Sequence, residues 1–287
     1  MSACEYLIGA GAAKAGTTLL YDLMKDHPAL RVGREKEIHY FDRTDSPDRA
    51  EYDALFPKGG TRFDVTPIYM YYEDCPEKIA STIGTGGVKI VILLRDPIER
   101  ARSHYNMSKY QGQEKISFEE SFETEAARIA ANDHDRRIYS YFSRGLYAKQ
   151  LDNIYKYFPR ENVLVTIFED FVSNQQRSID AICDFAGIER IAIRQTASNV
   201  GVHQLKIGWI DSVIRTLMRK TPKALKFKPL RSLKHAINKT LAKPVKKQPL
   251  DAEFLGKLKD YYIEDVMRLN TVYGLDTSKW RNFEAKG

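Results

Sequence analysis

The sequence predicts an α/β protein built on a central parallel sheet with helices between the strands. Two observations carry that prediction. Residues 88–94 (VKIVILL) and 6–8 (YLI) are continuously or almost continuously apolar, as strands covered by helices on both faces are, and do not alternate. These runs, and a third at 163–169, each lead towards apolar positions at helical spacing, which is the strand, loop, helix order of such a sheet.

Taken in order, residues 6–24 read YLIGAGAAKAGTTLLYDLM: a strand, a small-residue loop, and a helix over 17–25 that Pro28 stops. The loop Gly9-Ala10-Gly11-Ala12-Ala13-Lys14-Ala15-Gly16-Thr17-Thr18 puts little bulk near its N–H groups, one ammonium, and two hydroxyls at a helix N-terminus. An anion fits there. The loop is neither of two familiar glycine motifs: Lys14 lies between alanines, where a Walker A loop needs Gly-Lys-Ser/Thr and a dinucleotide loop a third glycine.

In Lys36-Glu37-Ile38-His39-Tyr40-Phe41-Asp42, Glu37 and His39 are two apart, so an extended backbone turns both to one face. Either can act as general base on a hydroxyl that loses its proton as it attacks. Residues 60–67 read as a short strand ending at Pro67; Thr66 and the following Tyr69 either line an acceptor cleft or belong to the core. The 88–94 strand ends at Arg95-Asp96-Pro97, where ligands of open α/β sheets bind, and Ser103 follows eight residues after Arg95 on a helix. Asp96 could also mimic the magnesium-binding aspartate of a P-loop kinase.

Residues 105–145 are polar and largely helical. Asp133-His134-Asp135 reads as a solvated turn, since consecutive residues do not converge on one ion. Helical spacing over 145–158, a strand over 163–169 and a helix over 174–186 repeat the opening pattern. Residues 203–248 form a basic amphipathic insertion: 207–247 carry two apolar stripes, with no acidic residue between Asp211 and Asp251. A covering, lid-like role ranks first for it, contact with an anionic membrane second, and nucleic acid below both. A last helix runs from about 250 to 269, ahead of Trp280.

At 287 residues and 43% hydrophobic, residues 1–287 are expected to form a single domain. The net charge of +7 favours an anionic partner without choosing one. Three cysteines in no metal-ligand spacing point to reduced thiols and no metal. Without a leader pattern or an apolar run of membrane-spanning length, a soluble cytoplasmic protein is expected, peripheral on a membrane if the basic segment binds one.

The loop Lys14-Ala15-Gly16-Thr17-Thr18 resembles the Lys-x-Gly-Thr-Thr loop of sulfotransferases that use PAPS (3′-phosphoadenosine 5′-phosphosulfate), and 36–42 resembles the Lys/Asn-Glu-x-His-Phe-Phe-Asp stretch of the heparan sulfate sulfotransferase group and its bacterial relatives. Arg95, with Ser103 in Arg-x-x-Ser-x-Tyr, is similar to that family's 3′-phosphate signature, and the likeness continues through 145–171 and 250–280. The resemblance implies a P-loop NTPase-like three-layer fold and sulfuryl transfer from PAPS to an acceptor hydroxyl, giving PAP. It implies donor binding by Lys14, Ala15, Gly16, Thr17, Thr18, Arg95 and Ser103; catalysis by Lys14, Glu37 and His39; and acceptor contacts by His39, Asp42, Thr66 and Tyr69. The family's acceptor-contacting lysine is matched by Val65, which leaves small-molecule, glycan and lipid acceptors open. The rivals are a P-loop nucleotide-dependent kinase and a non-catalytic basic protein that binds membrane or nucleic acid.

Overall fold

The computed structural model describes residues 3–194 and 249–283, and the backbone of 203–205 and 242–244. Most of the basic insertion expected at 203–248 lies outside the described residues, and with it the lid and membrane-contact readings.

Five parallel strands form the main sheet in the order β2-β3-β1-β4-β5: β1 is Tyr6–Gly11, β2 Leu30–Val32, β3 Thr61–Val65, β4 Val88–Leu94 and β5 Val163–Ile167. β1 is buried along its whole length and β4 at all but Lys89, as their unbroken apolar runs require. The chain works outwards from β1 through β2 and back to β3, then crosses to β4 on the other side. β1 and β4 therefore flank the topological switch, where the loops at their carboxyl ends open a crevice.

Helices cover both faces. They are α1 (Thr17–Met24), α2 (Arg49–Asp53), α3 (Cys75–Ile83), α4 (Pro97–Tyr110), α5 (Phe118–Ala131), α6 (Asp133–Tyr139), α7 (Tyr147–Tyr155), α8 (Phe168–Ser173), α9 (Gln175–Ala186) and α10 (Ala252–Thr271). A separate antiparallel pair joins β6 (His203–Leu205) to β7 (Ala242–Pro244). The Asp133 stretch, read from sequence as a solvated turn, instead opens α6, because Asn132 caps Asp135 N and Asp133 pairs with Arg137 at 2.7 Å. The strand expected over 163–169 ends at Ile167, where α8 begins.

Candidate active site

The loop between β1 and α1 turns through left-handed backbone at Lys14 (φ 73°) and Gly16 (φ 95°). A Cβ on Gly16 would sit 2.5 Å from the Phe168 ring, so glycine is needed there both for its φ and for this close approach. Lys14 projects inwards to Met107 Sδ on α4 at 3.3 Å, a soft, uncharged partner. Burial pushes its ammonium below the usual lysine range; Arg95 and Arg100 add to that, and Glu37 opposes it.

β4 delivers Arg95 beside the loop. Its guanidinium reaches the Lys14 carbonyl at 3.4 Å and lies 5.2 Å from the centre of the Phe168 ring. Asp96 then caps α4, accepting from Ile98 N at 3.0 Å and Glu99 N at 3.2 Å, while its second oxygen takes Asn282 N and Nδ2. Both carboxylate oxygens are thus engaged within the protein, which removes the sequence argument for a kinase-type metal aspartate. Ser103 lies on α4, partly buried.

Glu37 and His39 do come together, but not on a strand. Both take left-handed backbone (φ 64° and 56°), and Glu37 Oε2 lies 3.6 Å from His39 Nε2. Among the described residues, Lys14, Glu37 and His39 are the only non-glycine positions with positive φ, a conformation that persists where surroundings over-determine it and that clusters at functional sites. Burial of Glu37 opposes its ionisation, but His39 and Lys36 outweigh that and hold the carboxyl at about 2. His39 is raised to about 9 by its hydrogen bonds to Asp42 and Glu37. At neutral pH the pair is a carboxylate beside an imidazolium, so Glu37 is the member able to accept a proton.

Three acceptor-side expectations change. Asp42 is buried, its side chain 0% exposed, with His39 Nδ1 at 3.0 Å and Arg137 Nη1 at 2.5 Å from the same oxygen. It acts behind His39 and has no open face for an acceptor. Thr66 and Tyr69 are 0% and 1% exposed, and their hydroxyls donate to Asp64 at 2.6 and 3.1 Å. Tyr69 also accepts from Tyr40 N at 3.0 Å, so these two residues support the His39 segment from inside instead of lining a cleft. Burial pushes Asp64 up to about 6, against the hydrogen bonds from Thr66, Tyr52 and Tyr69.

The sequence reading missed a buried basic group under the loop. Arg100 is fully buried, reaching Ala13 O at 3.4 Å and the Tyr141 carbonyl; Arg144 is buried and donates to Arg137 O at 2.9 Å. Burial, then the charges of Arg144, Arg100 and Lys14, press His104 well below its ordinary value. Arg100 heads the Arg-x-x-Ser-x-Tyr pattern read in the sequence, but that reading gave a role only to Arg95 and Ser103 and left Arg100 without one. An open cleft of about 600 Å³ lies beside Arg137, walled by Asp42, Arg137, Arg136 and Tyr72 with charges of both signs around them.

A family model described as "Sulfotransferase domain" matches residues 6–212. The chain belongs to the sulfotransferase family. Among similar proteins, mouse heparan sulfate glucosamine 3-O-sulfotransferase 3B1 is 31% identical over 186 residues, 63% of this chain and 45% of that protein, so the chain matches about half the length of this curated relative. A crystal structure of a sulfotransferase from Alicyclobacillus acidocaldarius superposes with a TM-score of 0.69 at 23% identity, covering 98% of this chain and all of the other. Mouse sulfotransferase SULT7A1, solved in complex with PAP, superposes with a TM-score of 0.51 at 16% identity over 93% of this chain and 84% of its own. The three-layer sulfotransferase fold expected from the resemblance is the one observed.

Proposed function

We propose that the protein transfers a sulfuryl group from PAPS to a hydroxyl of a carbohydrate acceptor. The observation that carries this reading is the convergence of the Lys14 loop, Arg95 and Glu37 at the carboxyl ends of β1 and β4: Arg95 reaches the Lys14 main chain, and Glu37 acts on the Lys14 ammonium. The acceptor oxygen forms its bond to sulfur as the bond from sulfur to the 5′-phosphate oxygen breaks; the hydroxyl proton passes to Glu37, and PAP leaves. Lys14 neutralises charge on the departing phosphate oxygen, and the loop from Ala15 to Thr18 donates hydrogen bonds to the phosphosulfate. Arg95 and Ser103 hold the 3′-phosphate and so distinguish PAPS from ATP.

The heparan sulfate relatives support a carbohydrate acceptor.

Calorimetry tests the donor site. PAP should bind with a micromolar or lower Kd, and 5′-AMP weaker by on the order of a hundredfold, because the charge-assisted bonds to the 3′-phosphate are lost. Equal affinities would reject the roles of Arg95 and Ser103.

A further inference from the structure

The His39 segment is held from behind by a residue that sequence reading did not single out. Helix α6 applies Arg137 to Asp42 twice, Nη1 to the carboxylate Oδ2 at 2.5 Å and Nη2 to the main-chain carbonyl at 2.6 Å. The same Oδ2 faces His39 Nδ1 at 3.0 Å, and His39 Nε2 faces Glu37 Oε2 at 3.6 Å. Four groups of alternating charge therefore run from the cleft wall to the candidate base: Arg137, Asp42, His39, Glu37.

Two physical arguments make this more than a packing contact. The Asp42 side chain is fully buried, so its charge depends on these partners, and removing one partner of a buried pair leaves an uncompensated charge. Glu37 and His39 also hold left-handed backbone, which needs an external anchor, and the double contact on Asp42 supplies one three residues from His39. Arg137 is itself braced by Asp133 at 2.7 Å and by the Tyr72 ring, 4.9 Å from its guanidinium.

We propose that Arg137 is a positioning residue for the sulfuryl transfer, clamping Asp42 and through it setting the orientation and charge of His39 beside Glu37. The kinetic part rests on the sulfotransferase reading above; the electrostatic part does not. The charges acting on His39 are Asp42 and Glu37, which hold its proton, and Arg43, which opposes them, while Asp64 feels the imidazolium from the core side. Arg137 draws on the Asp42 carboxylate and so limits its pull on His39.

The test compares the full chain with Arg137→Gln and Arg137→Lys. Histidine NMR titration of the unliganded protein should show the His39 midpoint rising by about half a pH unit or more in Arg137→Gln, because Asp42 then bears on His39 alone, and staying near the parent value in Arg137→Lys. With PAPS and a carbohydrate acceptor, kcat should fall on the order of ten- to a hundredfold in Arg137→Gln at unchanged PAP affinity, with partial recovery in Arg137→Lys. An unmoved His39 midpoint overturns the proposal, and so does a loss of PAP affinity in step with kcat. A moved midpoint in a protein that transfers no sulfate would keep the clamp and remove the sulfotransferase reading. Should Arg137→Gln fail to fold, Arg137→Lys decides alone: it keeps the charge but not the two-point clamp, and a kcat within about twofold of the parent overturns the proposal.

Discussion

Glu37 gains its ionised state from close neighbours: Lys36 Nζ stands 2.8 Å from one carboxylate oxygen and the His39 imidazolium beside the other. Glu37→Gln keeps the shape but cannot accept a proton. It should leave PAP affinity within about twofold and reduce turnover by on the order of a hundredfold or more, in the range of general-base loss; retained turnover would move the base role to His39. The same pair gives a pH signature. His39, raised from 6.5 to about 9, contributes stability that is complete below 6.5 and is lost as pH rises through 9. Glu37, lowered from 4.5 to about 2, contributes stability above 4.5 that is lost as pH falls through 2. Thermal melts should therefore show Tm falling between pH 7 and 10, and falling less in His39→Gln; equal slopes would contradict the His39 assignment. The types and spacing of Glu37 and His39 were legible in the sequence. Their left-handed backbone was not, because the sequence reading assumed an extended segment and the turn is held from elsewhere in the fold, by Arg137 through Asp42 and by Tyr69 through the Tyr40 N–H.

At the scale of elements, α4 carries Ser103 of the proposed donor site, and its start is set by one residue. Asp96 caps two N–H groups of the first turn and also ties down Asn282 from the C-terminal segment. Asp96→Ala should cost about 1–2 kcal/mol from the lost cap alone. It should also weaken PAP binding, because Arg95 precedes the cap and Ser103 follows it on the same helix. Denaturant melts and calorimetry on one preparation check both, and a stable variant with full affinity would show that the cap does not position the site. The β1 and β4 modules were readable because burial on both faces and helical spacing are local patterns. Strand β2 and helix α2 were not read: three and five residues respectively are too short to show a period.

Across the whole molecule, the C-terminal segment closes on the sheet domain. Trp280 is fully buried, lies 6.1 Å from the Tyr147 ring and donates Nε1 to Glu169 at 3.1 Å. Trp280→Ala should lower unfolding free energy by about 3–5 kcal/mol, the cost of emptying a large aromatic site, read from the denaturant midpoint; an unchanged midpoint would mean that the segment is not part of the cooperative unit. By itself the sequence determined the strand, loop, helix modules, the small-residue loop around Lys14 and the arginine at the end of a buried strand, because each depends on residues within a few positions of one another. Only the tertiary structure decided the strand order that brings β1 and β4 together, the interior place of Thr66 and Tyr69, and the grip of Arg137 on Asp42 from 95 residues away. The strand pairings and the Arg137–Asp42 contact join residues far apart along the chain, and such pairs leave no period or local composition to read.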